Sequence, residues 1–173
     1  SSDLYSVWVS SDGQAWAVGD RGTILQCQGG ACNPLASGRT DLLVGIFGSG
    51  SGEVMAHGSG GTLLRCTGTG CTPVRTGTSS LLNKAWIGPS GDVWAVGNNG
   101  DIVRCGADAC ALMSSGAQIS LNSLAGDGVG TIWAVGDAGS LVQCRGSQCQ
   151  TLSSGELADL YSVYGSVAGE VWA

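Results

Sequence analysis

The sequence contains little charge, and most of that charge is negative. Its 173 residues include a single lysine, Lys84, and 13 acidic residues, and the formal net charge is −6. Nucleic acids and anionic membrane surfaces are bound by clustered Lys and Arg side chains. The composition therefore excludes a nucleic-acid partner. A run of 18 apolar residues is also missing, so we expect no membrane insertion.

Signals for helices are missing as well. No segment of 11 or more residues repeats its apolar side chains with the 3.6-residue period of an amphipathic helix. The chain instead has 31 glycines, without the glycine-every-third-residue period of collagen. Hydrophobic residues make up 43% and charged residues 12%, which is not the composition of a disordered chain. We expect a folded domain of short strands joined by tight turns.

A tetrapeptide recurs along the chain at intervals of 39 residues, without insertion or deletion. Its complete copies are residues 16–19, 55–58, 94–97 and 133–136, and it begins once more at Trp172. Glycine recurs in the same register in two turn columns. These columns are Gly13, Gly52, Gly91, Gly130 and Gly169, and Gly22, Gly61, Gly100 and Gly139. Recurrence of glycine at one position predicts a positive φ in a tight turn.

Each 39-residue unit contains four strand-length segments separated by short turns. In the first unit these segments are residues 4–10, 14–19, 23–27 and 32–37. Four antiparallel strands in about 40 residues are typical of one blade of a β-propeller. The sequence therefore predicts an all-β protein, with a single propeller domain or fragment over residues 1–173. The predicted blades are residues 3–40, 41–79, 80–118 and 119–157, followed by half of a fifth blade at 158–173.

Two columns of large side chains recur with the repeat. One column is Trp16, Met55, Trp94, Trp133 and Trp172, and the other is Trp8, Phe47, Trp86, Ala125 and Tyr164. Regular recurrence of this kind favours a core between blades, and we assign the first column to that core. The alternative is a platform on which sugar rings stack.

The repeat resembles a known group of sequences. Its pattern D-x-W-A-V-G-D-x-G-T-I-L is clearest at residues 92–100 and 131–139. It is similar to bacterial propeller repeats of the photosystem II assembly factor type, relatives of the neuraminidase-like Asp-box repeats. The resemblance runs through the whole chain and implies a propeller whose first strand lies nearest the axis. Those relatives usually place an Asp-box between the third and fourth strands, where this chain has a cysteine pair, so no function is transferred from them.

The eight cysteines form four C-x4-C pairs, one in each full unit. The pairs are Cys27/Cys32, Cys66/Cys71, Cys105/Cys110 and Cys144/Cys149. Each pair flanks the turn between the third and fourth strands, where facing residues lie about 4.5 Å apart at Cα, a spacing that suits a disulfide. Zinc is the alternative, but it needs four converging ligands, whereas each pair belongs to a different blade. We predict one hairpin disulfide per blade and no metal.

Arrangements typical of catalysis are not evident. His57 is the only histidine, and no Ser or Cys nucleophile pairs with it in the repeat geometry. Asp20 and Asp137 share a turn position, where we expect them to bond the backbone two residues further on. A sialidase-type site would need an arginine cluster, yet the arginines fall in several different columns. We predict that the protein is not an enzyme and has no cofactor.

Two functions remain open. The first is a non-catalytic structural or protein-interaction module of a secreted or surface-exposed bacterial protein, within an extracellular assembly. The second is a carbohydrate-binding, lectin-like adhesin whose ligands are glycans. The most regular positions are Gly, Ala, Leu and Cys, which favours the first. Disulfides imply an extracellular, cell-surface or periplasmic location.

The last unit is incomplete. Residues 160–173 repeat only the first two strands of a blade, and the chain begins at a first strand, so it has no spare strands with which to complete that blade. An open edge and an uncovered apolar face are features that folded proteins avoid. We therefore expect the remainder of a longer chain, or less directly a neighbouring copy or another protein chain, to supply the missing strands.

Overall fold

The computed structural model describes residues 2–49, 53–107, 109–128, 130–166 and 170–173. The chain divides into two compact units, Ser1–Arg75 and Thr76–Ala173. Regular structure in the described residues consists of β-strands and three short 3-10 turns. None of these residues belongs to a helix with the length and apolar composition needed to cross a membrane.

The first unit contains two four-stranded antiparallel sheets, each with its strands in chain order. The first sheet consists of β1 (Leu4–Val9), β2 (Ala15–Gly19), β3 (Ile24–Gln28) and β4 (Ala31–Pro34). The second sheet consists of β5 (Leu43–Gly48), β6 (Val54–Gly58), β7 (Leu63–Thr67) and β8 (Gly70–Pro73). We call these sheets blade 1 and blade 2.

The second unit continues the same pattern with two further four-stranded sheets and a two-stranded one. Blade 3 consists of β9 (Leu82–Ile87), β10 (Val93–Gly97), β11 (Ile102–Cys105) and β12 (Cys110–Met113). Blade 4 consists of β13 (Leu121–Gly126), β14 (Thr131–Gly136), β15 (Leu141–Arg145) and β16 (Gln148–Leu152). The partial blade consists of β17 (Tyr164–Gly165) and β18 (Val171–Trp172).

The predicted architecture of four full blades and part of a fifth is confirmed. The fourth strands are shorter than predicted: β4 ends at Pro34, three residues before the expected end at Ser37. The chain turns there because the Arg39 amide donates a hydrogen bond to Ser37 Oγ at 3.2 Å. The predicted turn glycines Gly52 and Gly169 lie outside the described residues.

Tight 3-10 turns join the second and third strands of blades 1, 3 and 4. In blade 1 the turn ends at Gly22, whose φ is +67°. A Cβ at Gly22 would lie 2.1 Å from the carbonyl oxygen of Arg39, so glycine is required there. The predicted positive φ of this glycine column is confirmed. The residue before it is also left-handed, at Arg21, Asn99 and Ala138, with Gly60 at the matching place in blade 2.

The aspartates of these turns bond differently from the prediction. Asp20 Oδ1 accepts a hydrogen bond from the hydroxyl of Tyr5 at 3.2 Å. Asp137 Oδ1 accepts one from Asn122 Nδ2 at 2.9 Å. Both carboxylates therefore hold the turn against the first strand of their own blade, rather than bonding the backbone two residues further on.

The core of the first unit lies between its two sheets. Trp8 packs at the margin of this core over Gly48, where a Cβ would lie 2.5 Å from the indole ring. The side chains that point into the core alternate along each strand, as the pleat of a β-strand requires. They are Trp16, Val18, Ile24, Leu43, Ile46, Val54, Ala56, Leu64 and Cys66.

The core of the second unit is built from the equivalent positions of blades 3 and 4. Its members are Trp94, Val96, Ile102, Leu121, Leu124, Ile132, Ala134, Val142 and Cys144. Hydrogen bonds between successive first strands add to this packing. Asn83 Nδ2 donates to the carbonyl of Leu121 at 2.9 Å, and Asn122 Nδ2 donates to the carbonyl of Leu160 at 3.1 Å.

The four predicted disulfides are all present, one in each full blade. They join Cys27 to Cys32, Cys66 to Cys71, Cys105 to Cys110 and Cys144 to Cys149. In each pair the two cysteines face each other across the hairpin of the third and fourth strands. The disulfides therefore fasten the fourth strand, which is the outermost strand of each blade, to its neighbour.

The first column of large side chains divides between core and surface. Trp16, Met55 and Trp94 are 2%, 0% and 5% exposed, and Trp133 is partly buried. Trp172 departs from the core assignment, since it is 53% exposed. It stacks on Tyr164 with a ring separation of 6.0 Å, but no third strand pairs with β18 among the described residues.

Candidate functional site

A small pocket lies between blades 3 and 4, and we call it the interblade pocket. Its volume is about 90 Å³. Blade 3 contributes Trp86 from β9, Asp92 from the turn before β10, Trp94 from β10 and Arg104 from β11. The facing wall is mainly the β13–β14 connection and the start of β14. That wall includes Gly126, Gly128, Gly130, Thr131 and Ile132.

Two tryptophans form the aromatic side of the interblade pocket. Trp86 and Trp94 are cross-strand partners on β9 and β10. The space for the ring of Trp86 comes from Gly126, where a Cβ would lie 2.4 Å from the indole. Trp86 stays partly exposed, whereas Trp94 is buried. The pocket therefore presents an indole side chain held in place by the neighbouring blade.

An ion pair forms the polar side of the interblade pocket. Arg104 Nε donates to Asp92 Oδ2 at 2.9 Å, and Nη2 donates to the same oxygen. Nη1 donates to the carbonyl of Gly146 in the β15–β16 turn of blade 4 at 3.1 Å. The guanidinium also lies over the ring of Trp94, 5.3 Å from its centroid. These contacts fix Arg104 in one position, which is a condition for selective recognition.

Hydrogen-bonding capacity remains on both members of this pair. A guanidinium has five N–H groups, and the three contacts to Asp92 and Gly146 leave two of them. Within the described part of the chain, no hydrogen bond is made to Asp92 Oδ1. The pocket thus combines free N–H donors, a free carboxylate oxygen and an indole, while its two charged side chains cancel.

Polar pairs 12 residues apart occupy the same place in the first three blades. Gln26 Nε2 donates to Gln14 Oε1 at 3.0 Å in blade 1. Arg65 Nε lies 2.8 Å from Glu53 Oε1 in blade 2. Sequence reasoning missed Asp92 and Arg104 because the arginines were viewed as scattered. Complementary side chains 12 apart, recurring every 39 residues, were the signal that could have revealed them.

Other polar groups do not form a reactive site. The described residues contain no group of three His, Cys, Asp or Glu side chains that could hold a metal ion. The hydroxyl of Ser10 lowers the pKa of Asp12. The pKa values of Tyr5 and Tyr161 are raised by hydrogen bonding and negative charge from Asp20 and Asp159. All three groups are exposed and lie outside the interblade pocket.

His57 lies away from the interblade pocket, in the other unit. It is 3% exposed on β6, and its ring is near Phe47, with 6.1 Å between the ring centroids. Its cross-strand partner is Gly45. The histidine singled out in the sequence is therefore a buried packing residue.

A wider depression of about 410 Å³ lies on the outer strands of blade 4. Its lining is polar and open, without an aromatic side chain. It consists of Gln143, Arg145, Gln148, Cys149 and Gln150. We take the interblade pocket as the candidate site because it alone of the two combines aromatic, donor and acceptor groups.

Comparison with known proteins identifies the fold. No protein-family model matches the sequence, and no curated protein matches it. Among solved structures, "YCF48 bound to D1 peptide" has a TM-score of 0.60 at 22% identity, over 82% of this chain and 50% of that one. YCF48 from Cyanidioschyzon merolae has a TM-score of 0.65 at 17% identity, over 94% of this chain and 60% of that one.

The WD40 β-propeller domain of Doa1 is also similar. Its TM-score is 0.78 at 10% identity, over 95% of this chain and 59% of that one. The fold of the chain is therefore that of a β-propeller, as the 39-residue repeat predicts. The chain spans about half to three-fifths of the length of these similar structures.

Proposed function

We propose that this chain is a non-catalytic, protein-interaction β-propeller module that binds a segment of a partner protein in the interblade pocket. The observation that carries the proposal is the pocket itself. Small-molecule and cofactor sites usually enclose about 300–1,000 Å³, whereas this pocket has about 90 Å³. Its space suits one side chain projecting from a larger ligand, and a polypeptide is the ligand that presents side chains in this way.

The similar structures agree with a protein partner. One of them is YCF48 bound to a D1 peptide, so a propeller of similar fold holds a peptide. Fold similarity at 22% identity does not transfer that ligand, and the peptide site of this chain is argued from its own residues. The partner belongs to another protein chain or to the remainder of a longer chain of which residues 1–173 are a single propeller domain.

The proposed setting is extracellular, at the cell surface or in the periplasm of a bacterium. Four disulfides close hairpins in four successive blades. Such disulfides persist in oxidising compartments and are rare in a reducing cytosol. The bacterial source is supported by the resemblance of the repeat, and the low positive charge favours protein contacts over nucleic acid.

Carbohydrate binding is the second candidate, and Trp86 beside Asp92 and Arg104 is the observation in its favour. Sugar rings stack on an open aromatic face. The face of Trp94 is covered by the Arg104 guanidinium, and Trp94 is 5% exposed. This leaves only the partly exposed ring of Trp86, which supports a peptide ligand over a glycan.

A phage-displayed library of random linear peptides, panned on the folded and oxidised protein, tests the proposal. We expect enriched peptides whose binding is lost in an Asp92→Gln/Arg104→Gln variant, which copies the glutamine pair of blade 1. The matched control is Glu53→Gln/Arg65→Gln, which changes the equivalent ion pair in blade 2 and should leave binding intact. Failure to enrich any peptide, together with a positive glycan array, would replace the proposal by the lectin alternative.

A further inference from the structure

The interblade pocket has no net charge to offer a ligand. Asp92 and Arg104 are its only charged lining residues, and Arg104 binds Asp92 through two nitrogens. A ligand carboxylate would approach Asp92, and a ligand ammonium would approach Arg104, so each would meet a like charge as well as an opposite one. Either would also lose its hydration in a confined space. The pocket therefore disfavours charged side chains.

The same pair nevertheless requires polar complementarity. Two N–H groups of Arg104 and the Oδ1 atom of Asp92 are left without partners in the described residues. An aliphatic side chain entering the pocket would displace water from these groups without replacing its hydrogen bonds, which costs binding free energy. The best ligand group supplies an acceptor for Arg104 and a donor for Asp92 at once.

A primary carboxamide meets both requirements, since it is uncharged and carries a C=O acceptor and an NH2 donor on one planar group. Its flat face can also lie against the indole of Trp86. Building on the proposed function, we infer that the interblade pocket selects an asparagine or glutamine side chain of the partner. The carboxamide oxygen accepts from Arg104, and the carboxamide nitrogen donates to Asp92 Oδ1. The pocket thereby provides sequence selectivity.

The test uses four probe peptides, acetyl-Gly-X-Gly-amide with X as Asn, Gln, Ala or Asp, titrated into the oxidised protein with 15N-labelled tryptophan. We expect the Asn or Gln peptide to shift the indole N–H signals of Trp86 and Trp94 saturably. The signals of Trp8 and Trp16, from the equivalent positions of blade 1, should stay in place. The Ala peptide controls for backbone amides, and we expect it and the Asp peptide to bind at least about tenfold more weakly.

A charge variant makes the test specific for the argument. Asp92→Asn leaves Arg104 without its counter-charge, so we expect the Asp peptide to bind this variant better than the Asn peptide does. The Asp92→Gln/Arg104→Gln variant should abolish both responses, whereas Glu53→Gln/Arg65→Gln should change neither. Thermal unfolding followed by circular dichroism identifies any variant that fails to fold, and the ranking of peptides on the unmodified protein is independent of that outcome.

Each remaining outcome is decisive. Equal shifts with the Ala or Asp peptide, or shifts that persist in the Asp92→Gln/Arg104→Gln variant, would overturn the inferred selectivity. If library-selected peptides still required Asp92 and Arg104 in that case, the peptide-binding function would stand without it. If methyl α-glucoside moved the Trp86 signal and none of the peptides did, both the inference and the proposed function would be wrong.

Discussion

The imidazole of His57 fills the space in which a side chain at position 45 would stand. A Cβ built on Gly45 would lie 2.1 Å from His57 Nε2, and the two residues are cross-strand partners on β6 and β5. In blade 1 the same partners are Val18 and Ser6. A large residue on one strand is thus matched by the smallest residue on the other.

Position 45 should therefore reject any side chain while His57 is present. We expect Gly45→Ser to lower the free energy of unfolding by about 1–3 kcal/mol through overpacking. Adding His57→Val recreates the pair of blade 1 and should recover most of that loss. Guanidinium unfolding with disulfides intact measures both. Gly68→Ala, at a site with only one loose neighbour at 3.6 Å, is the control and should change little. Additive losses in the double variant would contradict the compensation.

The left-handed turn residues predict a stabilising substitution. Ala138 has a φ of +50° in the 3-10 turn of blade 4, whereas blade 2 has Gly60 at the matching place with a φ of +63°. A left-handed conformation costs a residue with a Cβ about 1–2 kcal/mol, partly offset by the greater backbone entropy that glycine loses on folding. We expect Ala138→Gly to raise the free energy of unfolding by about 0.5–1 kcal/mol and Gly60→Ala to lower it. Opposite signs in denaturant titrations would show that these turns are not strained.

The two ends of the tryptophan column predict different costs of truncation. Trp94 is 5% exposed in the core of the second unit, and Trp172 is 53% exposed. Trp94→Ala should cost about 3–5 kcal/mol because it leaves a cavity. Trp172→Ala should cost less than about 1 kcal/mol, mainly through lost stacking on Tyr164. Thermal and denaturant unfolding of both variants checks this, and a small effect at Trp94 would mean that its column faces solvent.

The disulfides should differ in importance although their loops are equally long. Closing so short a loop stabilises by about 2 kcal/mol in the chain-entropy account. Cys66 is 0% exposed and belongs to the core of the first unit, whereas Cys27 and Cys32 are partly or fully exposed. Removing Cys66/Cys71 by alanine should cost about 1 kcal/mol more than removing Cys27/Cys32 because buried sulfur is lost as well.

The pairing itself has a separate check. Peptide mapping of the unreduced protein should show eight blocked thiols and only the four hairpin pairs. Free thiols, or a bond between different repeats, would contradict the arrangement. Unfolding of the two double-alanine variants under identical conditions then compares the hairpins, and equal losses would show that burial of Cys66 adds nothing.

Features with a local cause could be predicted from the sequence. The positive φ of Gly22, the hairpin disulfides and the four strands per blade depend on backbone conformation and on partners within a few residues. Such features repeat every 39 residues because the same local geometry repeats. The bounds of the fourth strands were less accurate, since a side-chain turn at Ser37 ends the first of them.

Features that depend on a neighbouring blade required the tertiary structure. The space of the interblade pocket comes from Gly126, about 40 residues from the Trp86 ring that lies over it. Asp92 and Arg104 became a site only when Gly146 and the glycine-rich wall of blade 4 were seen beside them. The exposure of Trp172 has the same origin, because its column is buried only where another sheet packs against it. The sequence by itself determined the repeat, its turns and its disulfides, whereas packing between sheets decided which repeated side chains are core and which form a site.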